Sequence, residues 1–259
     1  MAKTRLDLLM MEQGLVESRS LAQRLVMAGQ VRVNGEVILK PSTGFAQNAV
    51  ISLDQGPKYV SRGGEKLAGA LNAFNISVKG LTCADVGAST GGFTDCLLQS
   101  GAKRVYAIDV GKGILHWKLR QLSEVVVMEQ TNARYVERLP EEIQFVTIDA
   151  SFISLKTLLP VVKNWMAKPS ELVTLIKPQF EAGRKEVSRG DGVIRDPEIH
   201  RQILMEILAF AEKLGFGIQG LVRSPLLGPK GNVEFLAWFI YPGLRRTEVG
   251  GLIDSAMIK

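Results

Sequence analysis

Residues Asp85–Asp95 read DVGASTGGFTD and begin at the end of a short apolar run, Leu81–Val86. Glycines in such a turn let the backbone pass close to a ligand, and the helix that follows presents unpaired amides at its N-terminus. The spacing is G-x-x-x-G-G rather than the G-x-G-x-x-G that cradles a pyrophosphate, and the acidic Asp85 precedes it. This pattern predicts a binding site for a small, positively charged ligand without a pyrophosphate.

Apolar runs and helical patterns alternate around this turn. A helix with Leu67, Ala70, Leu71 and Phe74 on one face precedes it. Most of the apolar runs are short and lack period-2 alternation, as expected for strands that are covered on both faces. Alternating β and α segments predict a doubly wound parallel sheet. The predicted strands of its parallel part are Leu81–Val86, Arg104–Val110, Val125–Met128, Phe145–Asp149 and Leu172–Lys177.

The last two predicted strands, Gly217–Arg223 and Val233–Ile240, are joined only by Ser224–Asn232. A parallel pair needs a crossover of about a dozen or more residues, usually with a helix, so these two strands are expected to be antiparallel. A parallel sheet that ends in one reversed strand is the layout of S-adenosylmethionine-dependent methyltransferases. The predicted fold class is therefore α/β, a Rossmann-like class I methyltransferase sheet with an antiparallel last strand.

Two further positions complete the expected cofactor site. Asp109 ends the second strand, where a carboxylate can accept hydrogen bonds from both hydroxyls of a ribose. Asn132 follows the third strand and is placed to meet an adenine edge. We expect S-adenosylmethionine as the cofactor. The residues expected to contact it are Asp85, Gly87, Ser89, Thr90, Gly91, Gly92, Phe93, Asp109, Val110, Asn132 and Asp149.

The composition excludes several classes of protein. The chain has 259 residues, 46% of them hydrophobic, which is enough apolar material for one or two packed cores and argues against disorder. The formal net charge of +6 favours a polyanionic partner without establishing one. With only two cysteines, Cys83 and Cys96, and two histidines, a disulfide framework and a Cys/His zinc site are excluded. We expect both cysteines to be buried packing residues.

The first part of the chain has a different pattern from the rest. Two short helical patterns are followed by Val31–Val37, in which alternating apolar residues flank Asn34-Gly35, a strong hairpin signal. The segment RLDLLMMEQGLVESRSLAQRLVMAGQVRVNGEVI, residues 5–38, resembles the S4 RNA-binding domain, in which the second helix and the hairpin grip structured RNA. A small helical cap with ordinary surface arginines is the alternative interpretation.

Four residues are not explained by the cofactor site: Lys66, Asp149, Lys177 and Glu234. Taken singly, a lysine at a strand end is usually solvated and a lone glutamate on a last strand is commonly a surface residue. Asp149 and Lys177, however, each end an apolar strand at the same sheet edge, so their side chains can face one cleft. The four match the Lys-Asp-Lys-Glu tetrad of the FtsJ-like RNA ribose 2′-O-methyltransferases.

Longer strings extend this resemblance over roughly residues 3 to 242. They are DVGASTGGFTDCLLQSGA, HWKLR, TNARYV, DASFISL, LIKPQFEAGR, GVIRDP and KGNVEFLAW. Together with the S4-like segment, they resemble the TlyA family, which is known for ribosomal RNA cytidine 2′-O-methyltransferases and is also labelled hemolysin. The resemblance implies methyl transfer from S-adenosylmethionine to a ribose 2′-hydroxyl, a reaction that needs no metal.

The resemblance also implies a role for each member of the tetrad. Lys177 would act on the 2′-hydroxyl, either as a base with a lowered pKa or as a charged group that stabilises the developing alkoxide, and the sequence leaves both open. Asp149 would orient Lys177 and balance local positive charge. Lys66 and Glu234 would hold the ribose and tune the lysine pair.

The expected partner is ribosomal RNA or a ribosomal subunit. The expected domains are residues 1–60, an S4-like domain with its linker, residues 61–245, the methyltransferase domain, and a tail at 246–259. A polar connection, Gln179–Val193, leaves the Lys177 edge as a candidate lid, and Trp117 either stacks on RNA or is buried. The basic residues expected to contact RNA are Arg5, Arg19, Arg24, Arg32, Arg62, Lys118, Arg120 and Arg184.

No signal peptide is visible, because Asp7, Glu12 and Gln13 interrupt the apolar residues near the start. No membrane span is visible either, because the most apolar stretch near the C-terminus, Phe235–Tyr241, is far shorter than the about 20 residues of a membrane helix. We expect a soluble, cytoplasmic protein, and the sequence does not predict its oligomeric state. Two other function classes stay open here. A non-enzymatic RNA-binding factor could keep the fold without needing the tetrad. A membrane-active cytolysin is suggested by the family's other label, although the sequence offers no pore-forming segment.

Overall fold

The computed structural model describes residues 3–54, 56–182, 192–243 and 248–258. The chain divides into two compact units, and the division falls between Lys58 and Tyr59. Each unit has its own hydrophobic core. Within the described ranges, no helix combines the length and the apolar character needed to cross a bilayer.

The first unit contains two helices and short strands, as its sequence pattern predicts. Ser18 caps the second helix, because its Oγ accepts the Leu21 N–H at 3.3 Å. Asn34 and Gly35 both have positive φ, 52° and 90°, which is the turn geometry that the Asn-Gly pair predicts. In chain order the elements are β1 (Thr4–Arg5), α1 (Leu6–Glu12), α2 (Arg19–Met27), β2 (Val31–Val33), β3 (Glu36–Val37), β4 (Gly44–Phe45) and β5 (Ile51–Leu53).

The core of the first unit lies between its helices and strands. Leu6, Leu9 and Met10 of α1 are fully buried and pack with Ala22 and Val26 of α2. Burial of each large apolar side chain stabilises the fold by about 1.5–3 kcal/mol. Strand β2 pairs with β3, as the hairpin signal predicts, and also with β5, which the sequence analysis did not predict.

The second unit is a seven-stranded sheet with helices between the strands. Short 3-10 turns at Ala133–Tyr135 and Pro229–Gly231 interrupt two of its connections. In chain order its longer elements are α3 (Gly63–Ala73), β6 (Thr82–Val86), α4 (Gly92–Gln99), β7 (Arg104–Ile108), α5 (Trp117–Arg120), β8 (Val125–Met128), β9 (Ile143–Ile148), α6 (Leu155–Val162), β10 (Met166–Ile176), α7 (Pro178–Glu181), α8 (Pro197–Lys213), β11 (Gly217–Arg223), β12 (Phe235–Tyr241) and α9 (Val249–Met257).

The strand order of this sheet is β11-β12-β10-β9-β6-β7-β8. Strands β6 to β10 pair in parallel, whereas β12 is antiparallel to both β10 and β11. This confirms the predicted α/β class and the reversed last strand. The reversed strand lies inside the sheet rather than at its edge, which the short connection could not show, because it constrains only the direction of β12 relative to β11.

The sheet brings three strand ends to one place. The register pairs Val86 of β6 with Ile108 of β7 on one side and with Ile148 of β9 on the other. The chain order reverses at β6, and this topological switch point is where ligands bind in open α/β sheets. The residues that directly follow these three strand ends are Gly87, Asp109 and Asp149.

The end of the expected domain 1–60, where its linker was expected, is packed into the second unit. The Tyr59 ring is buried, and a Cβ at Gly64 would lie 2.2 Å from its Cγ, so only glycine fits there. The backbone N–H of Val60 donates to Oδ2 of Asp95 at 2.8 Å. A tyrosine ring in an apolar pocket is a tertiary contact that local linker composition does not indicate.

Candidate active site

A cavity of about 430 Å³ opens beside the carboxyl end of β6, and we call it the Asp109 cavity. Its size falls in the range of about 300–1,000 Å³ that is usual for small-molecule sites. One part of its wall is polar and another part is apolar. It is lined by Gly87, Ser89, Asp109, Asn132, Asp149 and Ser151, and by Val110, Ile114, Phe152, Ile153 and Leu158 among others.

The Gly-rich turn and the β7 end are joined through Asp109. Its Oδ2 accepts the Ser89 N–H at 2.9 Å and its Oδ1 accepts the Gly111 N–H at 2.8 Å. An ionised carboxylate offers about four acceptor positions, so two more hydrogen bonds can be accepted from ligand hydroxyls. At the other side, Oδ1 of Asn132 accepts the Arg134 N–H at 3.1 Å, which leaves its amide group to donate.

A close backbone approach at Gly87 shapes the floor of this cavity. Gly87 has φ +84°, and a Cβ built there would lie 2.7 Å from the carbonyl oxygen of Asp149. Any other residue would therefore push apart the ends of β6 and β9. The glycine that opens the sequence motif is required here by both its backbone angle and its contact distance.

A second cavity of about 440 Å³ adjoins the first, and we call it the Lys177 cavity. Four residues line both cavities and so form a common wall: Gly87, Ser89, Asp149 and Ser151. The Lys177 cavity is basic in character. Its other lining residues include Ser61, Arg62, Lys66, Thr90, Gly92, Phe93, Lys177, Gly228 and Lys230.

Lys177 follows directly on β10 and forms an ion pair in the common wall. Its Nζ lies 2.6 Å from Oδ1 of Asp149 and 3.0 Å from Oγ of Ser151. The side chain is only 9% exposed, and its Nζ lies 5.7 Å from the centre of the Phe180 ring. Two neighbouring parallel strands, β9 and β10, thus present an acid and a lysine side by side.

Lys66 and Glu234 form the second ion pair, which joins α3 to the segment before β12. Lys66 Nζ lies 2.6 Å from Oε2 of Glu234, whose side chain is 0% exposed. Gln179 Nε2 donates to the other oxygen at 3.2 Å. A Cβ at Gly228 would lie 2.1 Å from Oε1, so the Gly228 backbone closes over this carboxylate. The tetrad is therefore assembled as two ion pairs. The contacts of Gln179 and Gly228 with Glu234 were not predicted from the sequence.

Two residues of the predicted cofactor set lie in neither cavity wall. Gly91 has φ +97°, and its Cβ position is 2.2 Å from Cδ1 of Leu119, so it is covered by α5. Asp85 is fully buried, where it accepts hydrogen bonds from Thr94 Oγ1 at 2.7 Å and Thr147 Oγ1 at 2.9 Å. The direct ligand contact expected for Asp85 is therefore corrected to a supporting position beneath the turn, joining α4 to β9.

We expect the substitution Asp85→Asn to change how stability depends on pH. Burial raises the pKa of Asp85 from 3.8 to about 7, so the unfolded chain releases this proton at lower pH than the folded protein. The stability that the protonated group contributes is lost as the pH rises from about 4 to about 7. The asparagine side chain cannot titrate. The unfolding free energy of the variant should therefore rise by up to about 4 kcal/mol relative to that of wild type as the pH increases over this range.

Urea denaturation of both proteins at pH 4.5 and pH 8 measures this gain. A matched control is Asp254→Asn, which removes an exposed carboxylate of α9. The control should show no comparable pH-dependent difference. A wild-type to Asp85→Asn difference that is the same at both pH values would contradict the expectation.

Glu129 holds the loop that follows β7, a role that sequence analysis missed. Its carboxylate accepts the backbone N–H groups of Gly113, Ile114 and Leu115 at 2.6–3.0 Å and is paired with Arg120. The hydrogen bond from Leu115, together with Arg120, lowers the pKa of Glu129 to about 2. Arg120, predicted to contact RNA, is thus engaged inside this loop, and its Nε also donates to the Leu115 carbonyl.

The other basic residues predicted to contact RNA differ in their surroundings. Arg5 and Arg19 share one acid, Arg32 pairs with the half-exposed Asp54 at 2.9 Å, and Arg24 lies in the last turn of α2. Arg62 lines the Lys177 cavity, as does Lys66. Arg184 and residues 183–191 of the predicted lid lie outside the described residues.

Trp117 and Phe152 are exposed aromatic residues of the second unit. Trp117, which the sequence left as either buried or exposed, is exposed, stacks on His116 and has Lys118 Nζ 6.0 Å from its ring centre. Phe152 lines the Asp109 cavity, is 90% exposed and has φ +62°, while its ring lies 4.8 Å from that of Phe180. A strained, exposed aromatic residue at a cavity is a signal of function that only the structure reveals.

The chain is similar to known proteins over almost its whole length. Residues 59–241 match the family model for FtsJ-like methyltransferases, and residues 4–51 match the S4 domain. The 16S/23S rRNA (cytidine-2′-O)-methyltransferase TlyA of Mycobacterium tuberculosis is 41% identical over 257 residues, 98% of this chain and 96% of that protein. Hemolysin A of Brachyspira hyodysenteriae is 45% identical over 239 residues, 91% of this chain and 99% of that protein. A solved structure from Streptococcus thermophilus that also carries the hemolysin name is 44% identical, with a TM-score of 0.75 over 99% of this chain and 95% of that chain.

Proposed function

Because the chain belongs to the TlyA family, with an S4 domain followed by an FtsJ-like methyltransferase domain, we propose that it is an S-adenosylmethionine-dependent ribosomal RNA methyltransferase that modifies the 2′-hydroxyl of a cytidine. One observation carries the proposal. The ligand-sized Asp109 cavity and the basic Lys177 cavity share a wall, and Asp149 of that wall forms an ion pair with Lys177, which lines the basic cavity. A methyl donor in one cavity and a ribose in the other would meet there.

The Asp109 cavity is suited to S-adenosylmethionine in size and chemistry. The carboxylate of Asp109 has acceptor positions left for two ribose hydroxyls, and Val110 and Ile114 offer apolar surface for an adenine ring. The amide group of Asn132 remains to donate to the base edge. When bound, S-adenosylmethionine supplies an electrophilic methyl group on a sulfonium.

The residues of the Lys177 cavity supply what the ribose needs. A 2′-hydroxyl is a weak acid and a poor nucleophile, so its oxygen must be positioned and its developing charge stabilised. Lys177 Nζ can hold this oxygen in place, and the Asp149 carboxylate lies 2.6 Å from Nζ and orients it. Lys177 Nζ would stabilise the negative charge that develops on the oxygen, while the hydroxyl proton would pass to water. Lys66, held by Glu234, adds a second cation to the same cavity.

Phe152 is the residue best placed to stack on the target base. An aromatic ring that is 90% exposed and lines the Asp109 cavity offers a flat surface to a base beside the reacting ribose. Base stacking contributes about 1–3 kcal/mol, so Phe152→Ala should lower kcat/KM for RNA at least about fivefold, while Phe152→Trp should retain most of it. Steady-state kinetics on ribosomal subunits measure the effect. Equal kcat/KM for all three proteins would contradict this role.

The proposed function is tested by incubating the purified protein with methyl-labelled S-adenosylmethionine and each ribosomal subunit, followed by mapping of the label. We expect 2′-O-methylcytidine at discrete positions. Label on a base, label on protein, or none with either subunit would overturn the proposal. A non-enzymatic RNA-binding factor gives only salt-dependent binding, and it would have no use for two buried lysine–carboxylate pairs beside a ligand-sized cavity.

A further inference from the structure

Asp7 in α1 of the first unit is a fully buried carboxylate on which three side chains converge. Arg5 donates to Oδ1 from Nε at 3.0 Å and to Oδ2 from Nη2 at 2.9 Å. The same Oδ2 accepts Arg19 Nε at 3.0 Å and Gln23 Nε2 at 2.9 Å. One carboxylate thus fixes donors from β1 and from α2 in a single arrangement.

The fold by itself gives only a modest reason for a charge at this position, namely that an acid in the first turn of α1 interacts favourably with the helix dipole. Taking a carboxylate out of water costs free energy even when it is paired, and apolar residues of similar size often stabilise a core as well. The adjacent buried residues of α1, Leu6, Leu9 and Met10, are all apolar. The hydrogen bonds from Arg5, Gln23 and Arg19 hold the pKa of Asp7 well below its usual range, so it is charged at neutral pH.

The two arginines remain accessible although they are fixed. Their side chains are 43% exposed for Arg5 and 49% for Arg19. Within the described residues, the hydrogen bonds of Arg19 use only its Nε, and those of Arg5 use Nε and Nη2. The remaining guanidinium donors can therefore bind a further anion. Phosphate oxygens match the planar fork of a guanidinium, especially when it is already oriented.

We propose that Asp7 is a positioning residue that holds Arg5 and Arg19 together as one binding site for an RNA phosphate. This inference rests on the proposed function, because it takes RNA as the ligand. The side-chain entropy of both arginines is lost on folding rather than on RNA binding, which strengthens the binding step. Arg32 has a weaker arrangement, because its acid Asp54 is itself half-exposed and water competes for the pair.

The substitution Asp7→Asn tests this proposal, because charge alone and the positioning role predict opposite changes in RNA affinity. Charge counting predicts tighter RNA binding, because the variant has one negative charge fewer. The positioning role predicts the opposite, about tenfold weaker binding, because the arginines lose their orientation. It also predicts a shallower salt dependence, by about 0.7–0.9 in the slope of log K against log salt for each phosphate that the variant no longer binds. Glu12→Gln, an exposed acid at the end of α1, is the control for charge alone and should bind slightly tighter.

The experiment uses the full-length chain and protein-free transcripts of the two large ribosomal RNAs as probes, with affinity measured at several salt concentrations. A double-mutant cycle separates positioning from folding. If Asp7 acts through the arginines, Asp7→Asn causes no further loss of RNA affinity in an Arg5→Ala/Arg19→Ala background, and only the slight tightening expected from the removed charge remains. A further loss in that background, or tighter binding by the single variant, would overturn the proposal. Absence of salt-dependent RNA binding by the wild type would instead overturn the proposed function.

Discussion

Replacement of Lys177 by alanine is expected to lower the rate of methyl transfer about a thousandfold while binding of S-adenosylmethionine and of RNA stays near wild type. The reason is the position of Nζ, 2.6 Å from Asp149 in the wall that the two cavities share. Loss of a group that stabilises developing charge typically costs a hundred- to a thousandfold in rate, and loss of a proton-transfer group costs about as much.

Single-turnover methylation of ribosomal subunits, with donor affinity from equilibrium dialysis, measures both quantities. Lys177→Arg should be nearly as impaired, because a planar guanidinium cannot replace a compact ammonium in a site only 9% exposed. A suitable control is Lys156→Ala, since Lys156 forms an exposed ion pair with Glu206 at 2.9 Å. If Lys177→Ala methylates at the wild-type rate, the assignment of the Lys177 cavity to the reaction is wrong.

The second large effect is expected at the Lys66–Glu234 pair, where a double variant should recover stability without recovering activity. Glu234 is 0% exposed, so Lys66→Met leaves a buried carboxylate without its cation, which costs about 3–5 kcal/mol of unfolding free energy. Adding Glu234→Gln removes the charge and keeps an acceptor for Gln179. We expect the double variant to regain most of the stability but not the methyltransferase activity.

Guanidinium denaturation measures the stabilities, and the methylation assay measures the activities. Removing Lys156 from its exposed pair with Glu206 serves as the comparison and should cost less than about 1 kcal/mol. A Lys66→Met protein as stable as wild type would show that the buried pair does not contribute as described. Activity regained by the double variant would assign the pair to folding alone.

The features predicted correctly from sequence follow local rules. The Asn34-Gly35 hairpin and the Gly87 turn depend on backbone angles that few residues adopt, so they can be read from residue type. The reversed β12 follows from the length of one connection. Lys177 and Asp149 come together because both end parallel strands, and the carboxyl ends of such strands share one edge.

The features that were missed or misplaced depend on tertiary contacts. Its place in the sequence beside the turn predicts that Asp85 contacts the ligand. Hydrogen bonds from Thr94 and Thr147 instead hold it beneath the Gly-rich turn. Glu129 belongs to no quoted motif, and Phe152 lies in the DASFISL string without being singled out there, because one contacts backbone amides and the other is distinguished by its exposure. Their roles depend on where a side chain points, which neither composition nor spacing specifies.

The wall common to the two cavities has a consequence for how ligands bind. Asp149 and Ser151 face both sides, so a ligand in either cavity changes the surroundings of the other. Any such effect must be reciprocal: the factor by which the methyl donor changes RNA affinity equals the factor by which RNA changes donor affinity. Methyl transfer would convert the sulfonium to a neutral thioether beside that shared surface, so the affinities for the demethylated donor and for the methylated RNA would be coupled in the same way.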